Sequence, residues 1–178
     1  MPNCSFPHSA GPSAWIERHS PLISRSGPIL DIAAGKGRHT RYLLKKGHSV
    51  IAVDKNLSSL RNIKNARLSL IQVDLETGAP WPFKKDMFAG IVVTNYLYRP
   101  LFGPIIASLA PGGVLIYETF ARGNEKFGKP NNPDYLLEPD ELIRVTLNKL
   151  HIIAYEDLIV EQPRPARIQR ICGRRDEI

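Results

Sequence analysis

Three carboxylates stand at intervals through the first half of the chain, each at or near the end of a short apolar run. Asp31 lies within Ile29-Leu30-Asp31-Ile32-Ala33, Asp54 follows Val50-Ile51-Ala52-Val53, and Asp74 follows the run from Leu68 to Val73. Just beyond the first run come Gly35 and Gly37. Glycines there allow a tight turn and let a ligand approach main chain where a Cβ would intrude, and the helix that should follow presents free amides at its start. Two ligand classes use such a turn. A dinucleotide site wants a third glycine where this chain has Thr40, and it places a pyrophosphate on the helix end, where Asp31 would repel it. The same carboxylate would attract an ammonium group. Asp54, nineteen residues beyond Gly35, is spaced to accept hydrogen bonds from ribose hydroxyls, which either class would use.

The elements that must hold these groups alternate in type. Residues 29–33 read as a buried strand, His39 to Lys46 as a helix stopped by Gly47, and residues 50–54 as a second strand. Leu57 to Ile63 reads as an amphipathic helix, Leu68 to Val73 as a third strand, Phe88 to Thr94 as a fourth, and Leu101 to Leu109 as a helix. Pro111-Gly112-Gly113 makes a turn into a fifth strand, Val114 to Phe120. The polar stretch Ala121 to Pro133 has the length of a functional loop. A helix over Glu138 to Leu147 and two strands, His151 to Val160 and Arg167 to Cys172, complete the chain as a closing hairpin. Ahead of all this, residues 1–27 are an irregular leader in which Ser13 caps a short lid or packing helix reaching Leu22. The order predicts an open, largely parallel α/β sheet with helices on both faces. In such a sheet ligands bind beyond the carboxyl ends of the strands, where Asp31, Asp54, Asp74, Asn95 and Glu118 fall.

Composition sets bounds on the function. With 178 residues, 43% hydrophobic and 23% charged, the chain suits one globular domain and excludes disordered, collagenous and disulfide-scaffold classes. Two cysteines, Cys4 and Cys172, are too few for a metal cluster, so no metal site is expected and a reducing cytoplasm is. No run reaches the roughly 18 apolar residues of a membrane helix, and the leader lacks the apolar stretch of a signal peptide. The net charge of +7 lies wholly in residues 1–89, with 13 basic and 6 acidic side chains, against 11 of each in residues 90–178. Residues 36–67 alone carry nine basic groups and one acid, Asp54. That stretch admits a nucleic-acid partner, although Tyr42 is its one Phe, Tyr or Trp where a stacking platform requires several, and a solvated helix face is the simpler account.

Taken together, Asp31-x-Ala33-x-Gly35-x-Gly37, Asp54 after the second strand, Val73-Asp74-Leu75 and Leu109-Ala110-Pro111-Gly112-Gly113 resemble the class I S-adenosylmethionine-dependent methyltransferases, from about residue 28 to the C-terminus. Within that superfamily the chain is most similar to the small tellurite-resistance and thiopurine methyltransferases. The resemblance implies a Rossmann-like, doubly wound, mostly parallel sheet of seven strands with a C-terminal antiparallel hairpin, residues 28–178 forming a single methyltransferase domain behind the 1–27 lid. It implies S-adenosyl-L-methionine as cofactor. Asp31 would hold the methionine ammonium directly or through water, Ala33, Gly35 and Gly37 would form the turn beneath the methionine, and Asp54 would take the ribose. Asp74 would accept from the adenine amine beside Leu75, and Asn95 would border the methionine carboxylate and the methyl group. Lys55 stands where the family often stacks an apolar residue on adenine, which hands the ring contact to Leu57 or Leu75.

Methyl transfer from an activated sulfonium needs alignment and exclusion of water more than a base. Candidates for a base, useful only for a hydroxyl or protonated amine acceptor, are Tyr96, Tyr98 and Glu118, with His19 and His39 behind them. Tyr96 and Tyr98 are as readily packing residues, His39 a first-turn helix residue, and Trp15 and Trp81 core or lid anchors. His48 and His151, each just ahead of a strand, read as surface groups. A small-molecule acceptor is expected because the fold leaves no separate substrate domain. The alternatives are an RNA acceptor using the cationic stretch and, from another class, a nicotinamide-dependent oxidoreductase. No membrane partner is expected, and oligomeric state is not legible.

Overall fold

The computed structural model describes residues 11–177. Its strands are β1 (Ile29–Ile32), β2 (Val50–Asp54), β3 (Leu68–Gln72), β4 (Phe88–Thr94), β5 (Leu109–Phe120), β6 (His151–Val160) and β7 (Ala166–Arg174). They pair in the order β3-β2-β1-β4-β5-β7-β6. The first five are parallel, and β7 runs antiparallel to both β5 and β6. β1 and β4 are buried at every position, as expected of central strands covered on both faces.

The helices are α1 (Ala14–His19), α2 (Arg38–Lys45), α3 (Phe102–Ser108) and α4 (Glu141–Thr146). Trp15 and Ile16 of α1 pack with Leu43 and Leu44 of α2 against Ile29, Val50, Val92, Val114 and Ile116. On the opposite face Phe102, Ile105 and Ile106 of α3 and Leu142 of α4 pack against Leu30, Ile32, Val93 and Leu115. Alternate strand residues therefore supply two cores, which is why the apolar runs read as continuous rather than alternating. Ser13 does cap α1, its hydroxyl accepting from the Trp15 amide at 3.1 Å.

Several sequence expectations change. The expected helix over Leu57 to Ile63 is a chain of turns, with the Leu60 and Arg61 amides donating to the Leu57 carbonyl and the Ile63 amide to that of Leu60. Ser58, Ser59 and Asn62 lower its propensity, and seven residues do not offset helix nucleation. Leu57 and Leu60 are buried all the same, against Ala34 and Ala52. Pro111-Gly112-Gly113 is no turn between elements: it lies inside β5, where pairing shifts between Phe88↔Leu109 and Gly90↔Val114. The last expected helix shortens to Glu141–Thr146 because Asp140, in the left-handed region, sits at its N-terminus. His48 is buried, not on the surface. The Gly47 reversal folds it back on the end of α2, with its amide donating to the Leu43 carbonyl. His151 is exposed as expected.

Candidate functional site

The turn after β1 is built from left-handed residues. Ala33, Gly35 and Gly37 have φ of 52°, 55° and 76°, the first a strained value for a residue with a Cβ. The Gly35 amide donates to Asp54 Oδ2 at 2.8 Å, and Asp54 Oδ1 accepts from the Asn56 amide at 2.9 Å, which fixes the carboxylate at the end of β2. Each oxygen keeps a lone pair for a further donor. Gly37 serves packing rather than ligand access, since a Cβ there would lie 2.5 Å from Leu60 Cδ2.

Around this turn the strand ends enclose a pocket of about 110 Å³. Its floor and walls are Ala33, Val53, Val73 and Leu75, and its polar rim is Asp54, Lys55, Asp74, Glu76 and Tyr96. Five of the sequence-predicted cofactor residues thus meet here: Ala33, Asp54, Lys55, Asp74 and Leu75. Leu57 does not, being buried among Ala34, Ala52 and Leu60, so Leu75 is the apolar side chain available to a ring. Asp74 Oδ1 accepts from the Glu76 amide at 3.0 Å, a turn that brings Glu76 to the rim. Burial, then the neighbouring Asp74, pushes the Glu76 carboxyl upward.

Asp31 lies outside the lining of this pocket, 1% exposed, with Oδ2 accepting from the Thr40 hydroxyl at 2.5 Å. Burial raises it to about 6 despite hydrogen bonds from Thr40. Arg38 sits between Asp31 and Glu118: burial lowers its guanidinium, and the two carboxylates pull it back up.

A second and larger pocket, about 380 Å³, opens on the other side of the β4 terminus. Asn95, Glu118 and Arg38 line it on its polar side, Phe120, Ala166 and Ile168 give it an apolar wall, and Pro12–Ala14 with Pro163 and Arg164 complete the lining. Glu118 is held at both oxygens. Oε1 accepts from the Ser13 hydroxyl at 2.7 Å and Oε2 pairs with Arg170 at 3.3 Å. Arg170 in turn pairs with Glu156 at 2.5 Å and lies 4.7 Å from the Trp15 ring centroid.

The base candidates separate accordingly. Glu118 faces the larger pocket and Tyr96 the smaller one, whereas Tyr98 lines neither and packs on the core. His39 is buried with Nε2 accepting from the Ser13 amide at 3.2 Å, so Nδ1 carries the proton and donates to Thr94 Oγ1 at 3.1 Å. Burial, then Arg38, lowers it to about 3. His19 stacks on Trp15 and bonds to the Trp15 carbonyl, with burial lowering its pKa. Neither histidine opens onto a pocket. Trp81 is an anchor, donating to Ser108 Oγ at 2.8 Å. Sequence reasoning missed Glu76, Arg38, Ser13 and the β6–β7 turn as pocket residues. Arg38 immediately after Gly37 and the Pro163-Arg164-Pro165 turn were the available signals. The polar loop 121–133 supplies none of the described lining of either pocket.

Residues 29–113, β1 through the middle of β5, match the sequence-family model of the methyltransferase domain. That stretch, 85 of the 178 residues, is similar to methyltransferase domains. The fold of the chain is shared with TehB from Haemophilus influenzae (TM-score 0.72, 16% identity, 96% of this chain and 64% of that one). It is likewise shared with an S-adenosylmethionine-dependent methyltransferase from Mesorhizobium loti (0.70, 15%, 92% and 98%). A third similar structure is the 1,6-didemethyltoxoflavin-N1-methyltransferase of Burkholderia thailandensis with bound 1,6-didemethyltoxoflavin and S-adenosylhomocysteine (0.64, 19%, 92% and 79%). No curated protein matches the sequence. Among the described residues, no helix is long and apolar enough to cross a membrane, and no group of three or more metal-ligating side chains occurs.

Proposed function

We propose that this domain methylates a small molecule held in the larger pocket, with the cofactor's nucleoside in the smaller one. The observation that carries the reading is the division at the end of β4: Asn95 lines one pocket and its neighbour Tyr96 the other. A methyl group carried between the two would pass that point. The smaller pocket fits a nucleoside in its donor set, with Asp54, Asp74 and Glu76 as acceptors for hydroxyls and an amine, and Val53, Val73 and Leu75 as an apolar bed for a ring.

S-adenosylmethionine, when bound, supplies a methyl group on a sulfonium that is activated for in-line displacement. The chain's own residues bind and orient. In this reading Asp54 takes the ribose, Asp74 the adenine amine, and Lys55 and Leu75 flank the ring. Ala33, Gly35 and Gly37 shape the turn, and Asp31 reaches the methionine ammonium through the Thr40 side of that turn. Asn95, Arg38 and Glu118 border the methyl group, and residues 11–27 act as the lid. The apolar wall of Phe120, Ala166 and Ile168 and the modest volume favour a small acceptor over a polymer.

The test is calorimetry with S-adenosylhomocysteine on native protein and on Asp54→Ala, followed by incubation with methyl-labelled cofactor and fractionated cell extract. Binding by the native protein that is lost in the variant, and label in the small-molecule fraction, are expected. Label in RNA would replace the small-molecule reading with the RNA one, and absence of native binding would remove both.

A further inference from the structure

Tyr96 presents a feature that neither packing nor general-base chemistry uses. Its hydroxyl oxygen is buried and has no hydrogen-bond partner among the described residues, and the residue belongs to the lining of the smaller pocket. A buried hydroxyl without a partner is costly, and the cost is recovered when something enters the pocket and accepts from it. The rest of the residue is pinned. The Tyr96 carbonyl accepts from the hydroxyl of fully buried Tyr117 at 2.8 Å, and the preceding Asn95 amide donates to the Glu118 carbonyl at 2.9 Å. The ring is therefore carried on fixed main chain.

The chemistry of the rim says what the hydroxyl meets. Asp54, Asp74 and Glu76 are acceptors and take a nucleoside's hydroxyls and exocyclic amine. The nucleoside also has acceptors, its ring nitrogens and ribose oxygens, which need donors. Of the side chains lining this pocket only Lys55 and Tyr96 donate, and Lys55 is exposed. We propose that the Tyr96 hydroxyl is a cofactor-positioning donor that bonds an acceptor atom of the cofactor's nucleoside. This rests on the cofactor assignment of the smaller pocket given above. Burial and the surrounding Glu76 and Asp74 carboxylates push the phenol upward. It stays protonated, which suits a donor and unfits it as a base.

The experiment compares native protein with Tyr96→Phe. Calorimetry with S-adenosylhomocysteine and with 5′-deoxy-5′-methylthioadenosine, which keeps the nucleoside but lacks the amino-acid part, should show about a tenfold loss of affinity for both. The ligand-free melting temperature of the variant should equal or exceed the native value, because the change removes a hydroxyl that has no partner. Affinities within twofold of native for both ligands would overturn the proposal. So would a loss confined to S-adenosylhomocysteine, which would put the contact on the amino-acid part, or a ligand-free melting temperature several degrees lower, which would make the hydroxyl structural. Failure of the native protein to bind either ligand would bring down the cofactor assignment and the proposal together, whereas unchanged binding by the variant would overturn the Tyr96 role alone.

Discussion

Ser13 and Glu118, 105 residues apart in the chain, are joined by a 2.7 Å hydrogen bond from the Ser13 hydroxyl to Glu118 Oε1. The same serine caps α1 and donates its amide to His39 at the start of α2. One residue thus fastens the N-terminal helix to the lining of the larger pocket. Ser13→Ala removes the cap and the Glu118 bond and should cost about 1–2 kcal/mol of stability. Denaturant titration checks the cost. Because the smaller pocket lies on the far side of β4, S-adenosylhomocysteine affinity by calorimetry should change less than twofold. A tenfold loss would mean the latch also shapes the cofactor site.

Trp15 anchors that helix. It is 1% exposed, its indole donates to the Ile171 carbonyl at 3.3 Å, and Arg170 lies over its ring. Trp15→Ala should destabilise by about 3–5 kcal/mol, as large aromatic truncations in cores do. Trp15→Phe should lose only about 1 kcal/mol with the indole bond plus a small packing cost. Urea midpoints for the pair decide it, and similar losses in both would mean that the hydrogen bond, not the ring, holds the helix.

Gly37→Ala brings a Cβ to within 2.5 Å of Leu60 Cδ2 at a φ of 76°. Overpacking of about 1–3 kcal/mol and a left-handed backbone cost of about 1–2 kcal/mol should add. In the background of Leu60→Ala the same change should cost only the backbone part. Equal costs in both backgrounds would show that Leu60 moves aside freely. Thermal melts of the four proteins close the cycle.

Asp31 and His39 oppose each other in their pH dependence. Burial raises Asp31 from 3.8 to about 6, so between those values the native state holds a proton that the unfolded chain has released, and this contribution to stability grows as pH falls through the window. Burial lowers His39 from 6.5 to about 3, so its contribution is full above 6.5 and is lost as pH falls toward 3. Between about 6 and 4 the two largely cancel. Asp31→Asn removes the first, and its stability should fall more steeply than native by about 1.4 kcal/mol per pH unit at most. Unfolding at pH 4, 5 and 6 measures this, and parallel native and variant curves would contradict it.

The alternation of elements was legible in the chain because buried parallel strands need continuous apolar runs. β2, β4 and β6 fall where Val50 to Asp54, Phe88 to Thr94 and His151 to Val160 put them. The turn glycines and strand-end acids were legible for a related reason, since a strand end, a left-handed turn and a carboxylate leave marks on neighbouring residues. The segment Leu57 to Ile63 misled because helical apolar spacing also serves two buried leucines in successive turns.

What the sequence by itself determined is the order of strands and helices and the polar groups at the strand ends, properties set by local spacing and side-chain chemistry. Only tertiary structure decided how those groups divide. It turned Asp31 inward to Thr40, Glu118 toward Ser13 and Arg170, and Tyr96 away from its neighbour Asn95. The physical reason is that pocket walls come from residues far apart in the chain. The chain leaves β4 through Asn95 in the left-handed region, φ 53°, so residues adjacent in sequence part at that turn while packing across the sheet joins residues far apart.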